Sequence, residues 1–390
     1  MRNTEEHPRT HDRFSALFVR DFRIFWTGQV ISFSGSWMQS IAQGWLVYDL
    51  TKSPFYLGLV AAAASVPVLL FTLIGGVVAD RVPKKRLLLA TQTLSMIPAL
   101  LLGVLIQLKI VTVGEIVGIA FFLGLVNAFD IPGRQSFLSE MVQKGHLMNA
   151  IALNSAAFNG ARIIGPVVAG ITIASVGVAA CFYVNAASFL AAIVALMMIK
   201  GRKSEVPRLT EKRTMKGNIL ALTRDLYEGL RFVKREKNIF GIMLLVATFS
   251  LFGIPFVTFL PVFAEDILKV GPRGLGFLAG SSGVGALIAA LLIAYIGDLQ
   301  KKGRFMFVAS LAFSISLFAF SLSRNYDLSA VTLTLAGWGM VSFLAVGNSS
   351  IQLTTPDDLR GRVMSVYALV FLGIAPLGNA VMGFVAHAVG

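Results

Sequence analysis

Long apolar stretches alternate with short polar segments along almost the whole chain. The stretches are 18 to 27 residues long and show no period-two alternation of apolar and polar positions. A bilayer is spanned by about 20 apolar residues in a helix, and only helices and closed barrels satisfy the backbone in lipid. The pattern therefore predicts an all-α, polytopic membrane protein. Its eleven spans are expected at 24–48, 55–79, 87–108, 115–132, 154–176, 179–199, 239–262, 274–297, 305–323, 329–353 and 363–389.

The spans fall into two sets. We divide the chain into an N-terminal tail (1–23), a six-span half (24–199), a linker (200–238) and a five-span half (239–390). Residues of the first half recur at corresponding positions in the second: Asp298 corresponds to Asp80, and Pro376 corresponds to Pro166. Parallel repeats of this kind are a transporter architecture. The repeat also predicts a twelfth span as the partner of the sixth.

Basic residues occur mainly in alternate loops. The tail, the linker and the loops on their side hold 28 Lys and Arg, against 5 in the opposite loops. This bias predicts that the N-terminus and the linker are cytoplasmic in a multi-pass protein of the bacterial inner membrane. The net charge of +14 is therefore attributed to topology, and no nucleic-acid partner is expected. Only 14% of the residues are charged, against roughly 25% in soluble domains.

The linker contains a helical pattern. Between residues 218 and 237, apolar residues recur every three or four positions, with basic residues on the other face. This spacing predicts an amphipathic helix at the cytoplasmic membrane surface.

Signals for catalysis are weak. The chain has four scattered His and a single Cys, which predicts no metal site, and it lacks the glycine-rich P-loop sequence of ATP-hydrolysing proteins. A membrane-embedded enzyme is a rival interpretation, but its clustered carboxylates would have to come from the single pair Asp357-Asp358. We therefore expect no cofactor and no enzyme activity, with energy supplied by an ion gradient.

Several motifs carry a family resemblance. Gly76-x-x-x-Asp80-Arg81-x-Pro83-Lys84-Lys85-Arg86 resembles the signature between the second and third helices of the major facilitator superfamily, with Pro83 where glycine is usual. The stretches 45–51, 130–135, 149–154 and 161–166 resemble the branch that contains the enterobactin exporter. The resemblance implies a proton-driven exporter of small amphipathic molecules, such as siderophores or drugs, working by alternating access. We expect a monomer. An importer or a lipid facilitator on the same fold is the alternative.

The resemblance also implies a cytoplasmic latch that holds the outward-open state. In it, Asp80 would accept hydrogen bonds from the N-terminus of the eleventh helix, near Arg362. The alternative is that these charges only set topology. The latch candidates are Gly76, Asp80, Arg81, Lys84, Asp130 and the repeat copy Asp298.

Polar residues form a stripe along the first span. Polar side chains facing lipid are costly, so the stripe is expected to face inward, where it lines a cavity or bonds neighbouring helices. The resemblance adds candidates on the tenth span. The cavity candidates are Gln29, Ser32, Ser36, Trp37, Gln39, Gln43, Trp338 and Asn348.

A lone arginine interrupts the fifth span. Arg162 needs a partner or a water-filled cavity in the membrane, and Asp130 is the expected partner, either in a structural salt bridge or in ion coupling. If Asp130 bonds Arg162, it is less available to Lys84. Gly165, Pro166 and Pro376 are expected to bend their helices, with the first two resembling a motif of drug/proton antiporters.

Overall fold

Helices make up most of the part of the chain that the computed structural model describes, residues 15–199, 215–297 and 299–389. In the first half, α1 begins four residues inside the predicted tail, because Phe22 and Phe25 at its start are buried against Phe137 and Leu138. Pro54 occupies the first turn of α2, where its missing N–H costs nothing. The helices are α1 (Arg20–Thr51), α2 (Pro54–Arg81), α3 (Lys84–Gln107), α4 (Val113–Met141), α5 (Lys144–Ser175) and α6 (Val178–Met198).

The second half opens with an interrupted span. Residues Lys237–Ile267 form one membrane-length unit. Within it, π-helical turns at Phe249–Gly253 and Phe263–Ile267 flank a short α-helix. The helices are α7 (Met215–Arg235), α8 (Lys237–Thr248), α9 (Phe256–Val262), α10 (Gly271–Ile296), α11 (Lys302–Leu322), α12 (Tyr326–Thr354) and α13 (Asp357–Val389).

Each predicted span corresponds to a helix or to the α8–α9 unit. Ten of these, within the described ranges, are long and apolar enough to cross a membrane. The remaining one, α1, has 32 residues and is long enough, but its polar stripe lowers its hydropathy. We call the helix ends that carry the basic loops the basic face, and the other ends the opposite face.

A groove in the second half lies at the position that α6 occupies in the first. In the first half, α6 packs against α1 and α3. The repeat makes α8–α9 and α11 the counterparts of α1 and α3. Between them is an open groove of about 510 Å³, lined by aromatic and hydroxyl side chains.

The halves meet through two helix pairs, α2 with α13 and α5 with α10. Glycines allow close backbone approach in both pairs. A Cβ on Gly58 would lie 3.1 Å from the Cα of Gly383, and one on Gly170 would lie 3.0 Å from the Cα of Gly276. Both contacts lie towards the opposite face.

The linker helix α7 docks on α13. Its Gly229 packs against the backbone of Arg362, where an added Cβ would meet the carbonyl oxygen at 2.7 Å. The guanidinium of Arg362 bonds Asp225 at 2.9 Å and Glu228 at 2.5 Å. The linker is therefore helical over Met215–Arg235, and these contacts attach the helix to the second half, while its position at the membrane surface stays a prediction.

Candidate functional site

A cavity of about 340 Å³ lies between the halves. This volume is in the range that holds a small molecule. Most of the lining comes from the first half, through α1, α2, α3, α4 and α6, and α9 contributes Val257, Thr258 and Pro261 from the interrupted span of the second half.

The polar stripe of α1 divides between the cavity and a buried network. Ser36, Trp37, Gln39 and Gln43 line the cavity. Gln39 also accepts a 2.6 Å hydrogen bond from the Asn185 amide of α6. Both roles considered for this stripe, cavity lining and bonding between helices, are therefore present on α1.

Gln29 and Ser32 lie outside the cavity lining, which corrects the expectation for these two residues. Both are buried. The Ser32 hydroxyl donates to Gln92 of α3 at 3.3 Å, and the Gln29 side-chain carbonyl accepts a hydrogen bond from Arg134 of α4. Partners on α3 and α4 thus hold both side chains behind the cavity wall.

Asp130 and Arg134 form the ionic centre of this network. The buried Asp130 carboxylate accepts hydrogen bonds from Thr91 at 2.6 Å and Gln92 at 2.9 Å. It also accepts two from the Arg134 guanidinium, one of them at 3.1 Å. Arg134 lies one turn further along the same helix, so α4 itself sets the geometry of the pair.

The expected partners of Asp130 are therefore wrong for this structure. Lys84 is bonded to Glu140 at 2.6 Å instead. Asp130 lies about three turns before Met141, the last residue of α4, which places it roughly 16 Å from that end of the helix. Lys84 begins α3 at the basic face, too far from that level.

Arg162 also has a different environment from the expected one. It makes no hydrogen bond or salt bridge to any residue in the described part of the chain, and its guanidinium carbon lies 5.9 Å from the Trp37 ring centroid. Phe158 contacts both Trp37 and Phe33 edge-to-face, at 5.7 and 5.5 Å. The Arg134 guanidinium carbon lies 4.7 Å from the Phe33 ring. Sequence reasoning missed Phe33 and Phe158, although their helical spacing to Trp37 and Arg162 was a usable signal.

The two candidates on the tenth span lie away from the cavity lining. Trp338 on α12 contacts the Phe305 ring at 6.3 Å. The side-chain carbonyl of Asn348 accepts a 2.5 Å hydrogen bond from Gln352. Local partners thus occupy both residues in this structure, and α9 supplies the second half's share of the lining.

Polar contacts between the halves close the opposite face. The Tyr48 hydroxyl donates a hydrogen bond to Asp266. The Lys52 ammonium lies 3.8 Å from Glu265, and the Ser53 hydroxyl lies 3.2 Å from a ring nitrogen of His387. Sequence reasoning missed these residues; the usable signal was an acidic pair, Glu265-Asp266, in a loop region opposite the basic ones.

Lys52 has a second acidic neighbour. A hydrogen bond from its ammonium to Asp49, at 3.0 Å, favours the charged form and raises the pKa of Lys52. The lysine therefore stays positively charged beside Glu265 throughout the physiological pH range.

Within the described ranges, Asp80 does not make the predicted latch contact. Asp80 is exposed and has no hydrogen bond or ion pair with another described residue, while Arg81 ends α2. A Cβ on Gly76 would meet no atom within 4 Å. Glycine contacts between the halves lie further inside: a Cβ on Gly373 would lie 2.9 Å from the Leu69 side chain, and one on Gly283 would lie 3.1 Å from the Arg162 carbonyl oxygen. The contacts that close the cavity at the loops therefore lie at the opposite face. The sixth latch candidate, Asp298, lies outside the described residues.

The proposed bending residues occupy close helix contacts. A Cβ on Gly165 would lie 2.6 Å from the Trp37 Cβ, so Gly165 allows α5 to pack on α1. The Pro166 carbonyl faces Gly276 of α10, and Pro376 is buried inside α13. Their role in helix bending stays a prediction.

Two helical halves around a cavity that is closed on one face define a transporter of the alternating-access class. The family described as MFS_3, transmembrane secretion effector, matches residues 12–390. The chain therefore belongs to this family of major facilitator transporters. It is a multi-pass membrane protein with a small-molecule substrate and a lipid environment, and the enzyme interpretation is excluded.

Curated relatives cover nearly the whole chain. The staphyloferrin A transporter of Staphylococcus aureus is 24% identical over 94% of this chain and 90% of its own. The multidrug efflux pump Tap of Mycolicibacterium fortuitum is 26% identical over 92% and 87%. The enterobactin exporter EntS of Escherichia coli is 22% identical over 96% and 85%. These likenesses support the predicted siderophore and drug exporter branch.

Solved structures show the same fold. A bacterial homologue of the human lysosomal transporter Spinster, in an inward-facing and unoccupied conformation, has a TM-score of 0.71 at 13% identity and covers 94% of this chain and 82% of its own. The nucleoside transporter NupG has a TM-score of 0.72 at 14% identity, over 94% and 91%.

Proposed function

We propose that this protein is a proton-driven exporter of small amphipathic molecules, siderophores or drugs, that works as a monomer in the bacterial inner membrane. The observation that carries the proposal is a cavity of about 340 Å³ that contacts between the halves close at the opposite face, which leaves the basic face as its route of entry. The positive-inside bias assigns that face to the cytoplasm. A cavity open to the cytoplasm collects cargo there, and the names of the relatives favour siderophores and drugs as that cargo.

During the transport cycle, the contacts that close the opposite face would break and contacts that close the basic face would form. Outward opening requires the Tyr48–Asp266 and Lys52–Glu265 contacts to break, together with the glycine contacts of α2 with α13. Closure of the basic face would bring Asp80 to the N-terminus of α13, where the helix dipole favours an anion. The open latch in this structure agrees with an inward-open state.

Asp130 is the proposed proton acceptor. Among the cavity-lining residues in the described ranges it is the acidic one, and three side chains bond its carboxylate. Protonation would remove the charge that holds Arg134 and would loosen the links from α4 to α1 and α3. Proton binding at Asp130 is thereby coupled to the packing of the cavity wall.

Inverted membrane vesicles test the direction and the coupling. Vesicles from cells that produce the protein are acidified inside by respiration, and two fluorescent dyes, cationic ethidium and anionic carboxyfluorescein, are added outside. We expect uptake of at least one dye together with partial loss of the pH gradient, as read by acridine orange. Asp130→Asn vesicles that contain the same amount of folded protein as the wild type are expected to lose the gradient-driven part of uptake. Dye uptake that persists after the pH gradient is collapsed would contradict proton-driven export.

A further inference from the structure

Two carboxamides of the cavity lining have no hydrogen-bond partner in the described part of the chain. The lining contains five Gln and Asn residues: Gln39, Gln43, Gln92, Asn127 and Asn185. Asn185 donates to Gln39 at 2.6 Å, and Gln92 donates to the carboxylate of the ion pair on α4 at 2.9 Å. Gln43 and Asn127 make no hydrogen bond to another described residue. Their amide groups therefore remain available to a molecule that enters the cavity.

Asn127 occupies the middle of a membrane helix. It is fourteen residues from Val113 and fourteen from Met141, the two ends of α4, and it is exposed. A polar side chain at this depth is costly unless it meets a partner or a water-filled cavity. Packing within the described helices gives no reason for an asparagine here, whereas binding of a polar group in the cavity does.

Gln43 and Asn127 lie at different depths. Successive spans alternate in direction, so α1 and α4 are antiparallel, and the hydrogen bond from Arg134 to Gln29 sets their relative level. From that level towards the opposite face, Gln43 is fourteen residues along α1 and Asn127 is seven residues along α4. At about 1.5 Å per residue, Gln43 lies roughly 10 Å closer to the opposite face than Asn127.

The rest of the lining is apolar for the larger part and balanced in charge. Aliphatic side chains such as Leu57 of α2 and Val257 of α9 contribute to it. Its two charged residues in the described ranges, Asp130 and Arg134, neutralise each other in an ion pair. The lining therefore distinguishes cargo by the hydrogen bonds that the cargo makes and not by the sign of its charge.

We propose that Gln43 and Asn127 select a cargo with a hydrogen-bonding group, such as an amide, hydroxyl or carbonyl, at each end of an apolar body. A carboxamide both donates and accepts, so it can bind any of these groups. The proposal rests on the function proposed above, since it takes the cavity to be the cargo site. It adds recognition at two points that neither the fold nor the family supplies.

Three benzene derivatives of matched shape test the proposal. Terephthalamide carries a carboxamide at each end, para-isopropylbenzamide carries one, and para-diisopropylbenzene carries none. Equilibrium dialysis against the full chain, with the same neutral detergent micelles on both sides, gives the dissociation constant of each probe. Gln43→Met and Asn127→Leu should each weaken binding of terephthalamide by about three- to tenfold, the effect of one neutral hydrogen bond.

The other two probes show how many bonds are made. The double variant should weaken binding of para-isopropylbenzamide by no more than a single variant weakens binding of terephthalamide, because this probe makes one bond at a time. Neither substitution should weaken binding of the hydrocarbon.

Two controls separate a binding role from a structural one. Gln135→Met alters an exposed glutamine of α4 outside the cavity lining and should leave all three constants unchanged. The melting temperatures of Gln43→Met and Asn127→Leu should equal or exceed that of the wild type, because no described hydrogen bond is lost. Absent binding of terephthalamide to the wild type, or a loss of affinity in fewer than both variants, overturns the proposal. An equal loss for the hydrocarbon also overturns it, since the substitutions would then act through cavity shape.

The vesicle assay keeps this test apart from the exporter proposal. Gradient-driven dye uptake combined with terephthalamide binding that both substitutions leave unchanged would remove only the two-point recognition. Terephthalamide binding that depends on Gln43 and Asn127, without uptake of either dye, would leave the binding site in place and remove the exporter.

Discussion

The Tyr48 hydroxyl of α1 donates a hydrogen bond to the Asp266 carboxylate in the π-helical turn after α9, so one bond joins the two halves of the protein at the opposite face. Tyr48 is buried within the largest apolar cluster. A hydrogen bond to a charged group contributes about 1.5–3 kcal/mol. This hydrogen bond is therefore one of the main contacts that keep the opposite face closed.

Tyr48→Phe should open the opposite face more often. Loss of the bond should shift the open-to-closed ratio by about ten- to a hundredfold, since the ring stays and only the hydroxyl is lost. Pulsed electron paramagnetic resonance measures the distance between two spin labels at the opposite face, on Leu108→Cys and Leu328→Cys in a Cys181→Ala background. In Tyr48→Phe we expect a second, longer distance to be populated. Tyr56→Phe, which alters a tyrosine of α2, is the control. An unchanged distance distribution in Tyr48→Phe would show that other contacts hold this face closed.

Gly58→Ala should have a related effect through sterics. An added Cβ would lie 2.3 Å from the Asn379 carbonyl oxygen of α13, a backbone atom that cannot turn away. The closed contact of α2 with α13 should become unfavourable, and the same pair of spin labels should report outward opening. Gly118→Ala is the matched control, because no atom lies within 4 Å of its Cβ position. Equal behaviour of the two variants would contradict the close-contact role of Gly58.

Asp130→Asn should destabilise the protein. Removing one partner of a buried ion pair leaves the other charge uncompensated, at a cost of about 3–5 kcal/mol. Thermal unfolding in detergent, followed by tryptophan fluorescence, should show a clearly lower midpoint than in the wild type. The double variant with Arg134→Gln should recover part of the loss, because the lone charge is removed. Additive effects of the two substitutions would show that the pair is not energetically coupled.

Asp80→Asn should slow transport without lowering the stability of the protein. Asp80 has no described partner in this structure, so the unfolding midpoint should stay near that of the wild type. Dye transport should nevertheless slow, because the outward-open state loses its latch. Asp358→Asn, another exposed acid at the basic face, should transport normally. If Asp80→Asn transports at the wild-type rate, the Gly76–Arg86 stretch does not form a latch and only sets the membrane topology.

The sequence predicted the span pattern because each membrane helix satisfies its own backbone and needs only a local apolar run. It also predicted the inward direction of the α1 stripe, since polar groups avoid lipid. The ionic partner that the sequence predicts for Asp130 is wrong. Distance from a loop along the sequence does not determine which side chains meet in the helix bundle, and the partner that the structure provides, Arg134, lies one turn away on the same helix.

Contacts between distant segments could not be inferred in the same way. The Tyr48–Asp266 bond joins residues 218 positions apart, and the Arg162–Trp37 contact depends on how α5 packs on α1. Both follow from the relative placement of helices rather than from the helices themselves. Local periodicity contains no information on that placement.

By itself, the sequence determined the spans, the duplication and the side that carries the basic loops, because hydropathy and charge act within one segment at a time. Only the tertiary structure decided which polar residues line the cavity, which acid pairs with which base, and which face is closed. Those outcomes depend on close packing between segments, where a single Cβ or hydroxyl determines whether two helices can meet.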